Sequence, residues 1–193
     1  HTLAPAALCM PLPPGFAFVD AAAFIMTYAT GHHGLVDRGQ LKAGETVLVL
    51  GAAGGVGLAA IQIAHAAGCT VIAAASSREK LDLCAAAGAH TGIDYHANDL
   101  KDAVKAATGG RGADIVVDVV GDRYTEAAVR ATAWRGRVLI IGFAGVPFAG
   151  AFLAYPEGYA KPLILIIEAA SMLSIAVTLA LLVLGPPERR GQS

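Results

Sequence analysis

The sequence predicts an α/β protein of Rossmann type, a doubly wound parallel sheet with helices on both faces. Three observations predict it. Short β-branched runs alternate with Ala-rich stretches of helical length from residue 46 to residue 141. The runs are apolar at nearly every position rather than at every second one, and a glycine cluster joins the first of them to the first long helix. Strands that are apolar on both sides need cover on both faces, and alternation with helices supplies it through right-handed crossovers.

Residues 1–19 contain Pro5, Pro11, Pro13, Pro14 and Gly15, a spacing that forbids regular helix and reads as an extended linker. A helix is expected from Asp20, a candidate N-cap, through the apolar Ala21 to Ala29 run and Leu35-Val36 to near Gly39. Strands are expected at Thr46 to Leu50, Thr70 to Ala74, Ile115 to Val119 and Arg137 to Ile141, with a weaker one at Thr91 to Asp94. Helices are expected between them at Gly55 to Ala67, Arg78 to Ala87, Leu100 to Ala107 and Tyr124 to Ala133. The nucleotide-binding domain is thus read as residues 20–147, and 148–193 as a divergent or truncated apolar tail.

A chain of 193 residues can bury a full core, and one that is 55% apolar and 15% charged must collapse. A net charge of −1 without a basic cluster excludes a nucleic-acid binder. The three cysteines, Cys9, Cys69 and Cys84, form no CxxC pair, which excludes a disulfide framework and a four-cysteine zinc site and points to a reducing, cytoplasmic setting. The chain starts at His1 without a basic-then-apolar leader and is expected to be a piece of a longer enzyme.

The chemistry is concentrated at Gly51-Ala52-Ala53-Gly54-Gly55-Val56-Gly57, between strand and helix. Glycines allow a tight turn and a close backbone approach to a pyrophosphate, and the helix N-terminus presents unpaired N–H groups with a positive dipole end. Ala53, Gly54, Gly55, Val56 and Gly57 are therefore candidate cofactor contacts, against the alternative of a purely structural turn.

The spacing Gly-x-x-Gly-x-x-Gly, with Leu41-Lys42-Ala43-Gly44-Glu45-Thr46-Val47-Leu48-Val49, Ala74 to Leu81, Gly88-Ala89, Ile93-Asp94-Tyr95 and Gly136 to Ala144, resembles the quinone oxidoreductase (zeta-crystallin-like) branch of the medium-chain dehydrogenase/reductase superfamily. The resemblance runs over residues 8–147. It implies an NADPH-dependent, zinc-independent reductase of a small-molecule quinone or α,β-unsaturated carbonyl. It further implies an N-terminal catalytic domain ahead of His1 and a homodimer in the full-length enzyme.

Where NAD-binding relatives of this fold carry an acid some 20 residues past the turn, the sequence has Ser76-Ser77-Arg78-Glu79-Lys80. An acid would repel a 2′-phosphate, whereas hydroxyls and a cation can hold one, so NADPH is favoured. Ser76, Ser77 and Lys80 are candidates from this pattern. The resemblance places Ser76, Lys80 and Tyr95 around the adenosine phosphate and Thr30 near the nicotinamide. Ser77 as a helix N-cap, Lys80 as a solvated charge and Thr30 as a packing residue are the structural alternatives. Gly142, Phe143 and Ala144 end the last clear strand, where backbone groups line the ligand crevice of such sheets; Phe143 also suits a core.

No catalytic residue is named, because hydride transfer needs register and exclusion of water more than an acid–base pair. At the position where zinc-dependent members of the superfamily carry a ligand stands Met26, a poor ligand for zinc. His32 and His33 point in different directions on a helix, while His65, His90 and His96 are scattered along the chain and read as surface or packing residues. Cys69 and Cys84 read as small buried hydrophobes; Asp114 and Asp118 flank an apolar strand, to cap a turn or touch ribose.

Residues 163–184 are almost unbroken apolar sequence, long enough to span a bilayer as one helix, although Glu168 argues against it. A buried dimer element or an altered ending are the soluble readings, and both are preferred to membrane insertion. From another class of function, a non-catalytic NADPH-binding module tethered by 163–184 is the alternative to an enzyme.

Overall fold

The computed structural model describes residues 5–6, 9–121, 124–141 and 163–166. Residues 22–141 and 163–166 fall in one compact unit, Ala22–Ile167, and the described residues up to 21 fall in another. The first regular element is α1 (Phe18–Phe24), followed by a π-helical stretch Ile25–Ala29, the short α2 (Thr30–His32) and a second π-helical stretch His33–Arg38. The sheet consists of β1 (Thr46–Leu50), β2 (Thr70–Ala75), β3 (Thr91–Asp94), β4 (Ala113–Asp118), β5 (Thr132–Ile140) and β6 (Leu163–Ile166). Between them run α3 (Gly55–Ala66), α4 (Arg78–Ala86), α5 (Leu100–Ala107) and α6 (Tyr124–Arg130).

Among the described residues all five strand pairings are parallel and the order is β3-β2-β1-β4-β5-β6. The doubly wound class is therefore met. All five residues of β1 are buried, as its central place requires. Its odd positions, Val47 and Val49, pack with Leu35, with Ala60, Ile61 and Ala64 of α3, and with Cys84 of α4. Its even positions, Leu48 and Leu50, pack on the other face with Leu100 and Val104 of α5 and Ala128 and Val129 of α6. Each fully buried Val, Leu or Ile among them contributes about 1.5–3 kcal/mol.

Several expectations are corrected. Asp20 is not the N-cap: Ala21 N already bonds Ala17 O at 3.0 Å, so the helix starts at Phe18, inside the expected linker, and Asp20 occupies its first turn. The helix expected to reach Ala133 stops at Arg130, and β5 starts at Thr132. The reason lies in the β4–β5 register, which jumps from Ala113↔Thr132 to Ile115↔Arg137. The chain between bends through Arg135 at φ +62° and Gly136, where a Cβ would meet Ala133 O at 2.9 Å.

The 163–184 run does not open as a membrane helix. Leu163–Ile166 pairs in parallel with Arg137–Ile140, on the edge of β5 away from β4. Residues 167–184 of that run lie outside the described residues, as do Gly142, Phe143 and Ala144. No helix among the described residues is long and apolar enough to cross a membrane.

Candidate functional site

Strand order reverses between β1 and β4, whose ends are level at Leu50↔Asp118. In open α/β sheets the crevice outside such strand ends is where ligands enter. The first turn over that crevice is Gly51 to Gly57. Gly51 has φ +62°, and a Cβ there would lie 2.7 Å from Val120 Cγ2 and 2.8 Å from Val119 Cγ2. At Gly57 a Cβ would reach Gly51 O at 2.5 Å and Ala52 O at 2.7 Å, so only glycine lets α3 start so close to the end of β1. Gly55 is held under the preceding helix, its added Cβ meeting Thr27 Cγ2 at 3.0 Å.

Gly54 is the N-cap of the 12-residue α3, and no side chain accepts from the helix's first amides. Its carbonyl takes the first helical bond from Leu58 N at 2.8 Å. Gly54 and Gly55 are exposed, whereas Ala53 and Val56 are half-buried against the core. The other long helices differ: Ser77 caps α4 by accepting from Lys80 N, and Asp99 caps α5 by accepting from Asp102 N. The α3 terminus thus presents backbone donors and a positive dipole end at the crevice.

One sheet position away, β2 ends at Ala75. Lys80 Nζ donates to Ser76 Oγ at 2.8 Å, which brings together two of the candidate residues. Ser77 plays its structural part as N-cap, and Glu79 lies in the first turn of α4, where an acid suits the dipole. Tyr95 N donates to Ala75 O at 3.2 Å, and Ala75 registers with Asp94, so Tyr95 follows β3 directly beside Ser76.

Thr30 is 7% exposed and spends its hydroxyl proton on Met26 O at 2.6 Å, a packing role that leaves its oxygen as an acceptor. The helix around it is drawn against α3: Tyr28 Oη donates to Gln62 Oε1, and an added Cβ on Gly31 would lie 3.2 Å from Ile63 Cδ1.

Of the two roles read for Asp118 from the sequence, capping a turn or touching ribose, the structure shows the cap, and adds what the sequence did not show, that the capped turn supports Gly51. Asp118 is wholly buried, its Oδ1 accepting from Val120 N at 3.0 Å and Gly121 N at 2.8 Å and its Oδ2 from Thr125 Oγ1 at 2.5 Å. It therefore caps the turn whose Val119 and Val120 press on Gly51. The signal was present as an Asp three residues before a glycine at a strand end. Asp114 works at the opposite end of the sheet, accepting from Thr46 N at 2.8 Å and Arg111 Nη1 at 2.5 Å.

His65 and His90, far apart in sequence, stand with ring centroids 5.3 Å apart. His90 Nδ1 accepts from Val71 N at 3.0 Å, which leaves its other nitrogen protonated and unsuited to a metal. Burial pushes the thiols of Cys69 and Cys84 up, and the Glu45 charge adds to the effect at Cys69, so neither is primed as a nucleophile.

A family model described as zinc-binding dehydrogenase matches residues 55–159. Quinone oxidoreductase-like protein 2 of Rattus norvegicus is 41% identical over 135 residues, which are 69% of this chain and 39% of that protein. The quinone oxidoreductase from Thermus thermophilus, solved also in complex with NADPH, matches with a TM-score of 0.69 at 34% identity, over 89% of this chain and 55% of its own. A solved NAD-dependent alcohol dehydrogenase matches with a TM-score of 0.73 at 36% identity, over 92% of this chain and 52% of its own. The chain thus spans 39% of the rat relative and little more than half of the solved chains.

Proposed function

This chain belongs to the zinc-binding dehydrogenase family, and on that premise we propose that it is the cofactor-binding domain of an NADPH-dependent oxidoreductase that reduces a small quinone or α,β-unsaturated carbonyl. The observation that carries the reading is the glycine turn over the β1–β4 crevice, where the start of α3 has no side-chain cap. The chain's residues fit a dinucleotide: Gly54 and Gly55 are exposed, Gly54 N is held by Gly51 O at 3.0 Å, and the amides that follow at the uncapped start of α3 are donors a pyrophosphate can use. Ser76 and Lys80 stand where an acid would otherwise bind the ribose 2′-hydroxyl, which favours a 2′-phosphate. Relatives of this fold include an NADPH complex and an NAD-dependent enzyme, so the preference rests on Ser76, Lys80 and Tyr95.

When bound, the nicotinamide supplies the hydride. The protein's part is to hold the ring in register and keep water away, and Thr30 with the backbone of Gly142, Phe143 and Ala144 is assigned to its neighbourhood. The acceptor site is completed by an N-terminal domain, and the full-length enzyme is read as a homodimer. A zinc ion does not fit the donors at hand: Met26 offers a thioether, His33 Nδ1 is engaged with Asp37 at 3.0 Å, and no trio of His, Cys, Asp or Glu clusters among the described residues. No step is assigned to zinc.

Calorimetric titration with NADPH and NADH tests the reading. NADPH is expected to bind about tenfold more tightly, and Lys80→Ala to narrow the gap. Equal affinities would overturn the NADPH assignment, and no binding of either would overturn the cofactor site.

A further inference from the structure

We propose that Tyr124 is a positioning residue for NADPH selectivity, holding the ring of Tyr95 at the corner where Ser76 and Lys80 meet; the proposal rests on the NADPH reading above. The two rings have centroids 4.4 Å apart at an interplanar angle of 40°. They come from different places in the chain, Tyr95 from the turn directly after β3 and Tyr124 from the first position of α6, and both pack partly buried against the core on the α5–α6 side.

The backbone of Tyr95 is tied to β2 through Ala75 O, but a main-chain bond leaves two side-chain torsions undetermined. Those torsions are settled by ring contacts: Tyr124 on one side, and the edge of His96 at 5.2 Å and 77°. Tyr124 is in turn well anchored. Its neighbour Thr125 bonds the buried Asp118, which also fastens the turn after β4, so the start of α6 is pinned to the crevice. At this corner Ser76 and Lys80 are in contact, and Tyr95, next in register beside Ser76, has its ring set by His96 and Tyr124; on the NADPH reading its phenol is the third group offered to the phosphate. Without Tyr124 the phenol must be ordered when the cofactor binds, and that cost falls on the ligand that uses it.

The test is titration of the whole 193-residue chain and its variants with NADPH and NADH. Tyr124→Ala is expected to weaken NADPH about fivefold and leave NADH unchanged, while Tyr124→Phe, which keeps the ring contact, behaves as the parent. Tyr124→Leu, which fills the space without a flat ring, is expected to lose the same selectivity and serves if the alanine variant does not fold. An unchanged NADPH-to-NADH ratio in both Tyr124→Ala and Tyr124→Leu, an equal loss for both cofactors, or a phenylalanine variant as poor as alanine would overturn the role of Tyr124. A parent chain without NADPH preference would instead overturn the underlying reading. A preference removed by Lys80→Ala but intact in Tyr124→Ala and Tyr124→Leu leaves that reading standing and removes only Tyr124.

Discussion

Just before β1, Glu45 accepts from Arg137 Nη2 of β5 at 2.6 Å, with both side chains 18% exposed, and its other oxygen accepts from Lys42 N at 2.9 Å. Beside it Arg111, Asp114 and Thr46 close a second network. At the carboxyl ends of β1 and β2 the construction is the reverse: α3 starts on a bare glycine, and the Ser76–Lys80 pair is partly exposed. Charges at the lower rim are paired within the fold, although the buried Arg137 Nε makes no hydrogen bond, whereas backbone donors at the upper rim are left exposed. A buried polar group left unmatched costs stability, so a rim that keeps its donors at the surface is one where a ligand can gain from them.

Substitutions on the two rims should separate stability from binding. Gly57→Val is expected to have the largest effect, because its side chain would overlap Gly51 O and Ala52 O; NADPH affinity should fall by about a hundredfold or more and stability by about 2–4 kcal/mol. Calorimetry with a denaturant melt checks both, and retained binding would misplace the phosphate site. Glu45→Ala, at the other rim, should cost about 2 kcal/mol by leaving Arg137 partly buried and unpaired, with cofactor affinity unchanged. A matching loss of affinity would mean that the rims are coupled. The smallest effect is expected at Arg135, held at φ +62° on the surface: Arg135→Gly should raise stability by about 0.5–1 kcal/mol, read as a higher melting temperature, without touching binding.

What was legible in the sequence was local. The run Thr46 to Gly57 carries its own strand, turn and helix signals within a dozen residues, and Ser77 signals its cap over three. What stayed hidden depends on strands that are distant in sequence. Asp118 supports Gly51 only because β4 lies beside β1, and His90 meets His65 only because β3 follows β2 in parallel. Tyr95 was legible as a residue but not its partner Tyr124, whose place depends on α6 packing across the sheet end. At β5, the excursion at Ala133 to Gly136 interrupts the apolar pattern, so the strand reads as starting five residues late. β6 is concealed for the opposite reason, since a continuous apolar run gives no period to divide strand from helix.

The most direct measurement is an amide-resolved NMR titration of the chain with NADPH. The largest shift changes are expected at the amides of Gly54, Gly55, Val56 and Gly57, with a second group at Ser76 to Lys80 and none at the Glu45–Arg137 rim. Shifts centred on the lower rim, or an undisturbed α3 terminus at saturating NADPH, would contradict the account.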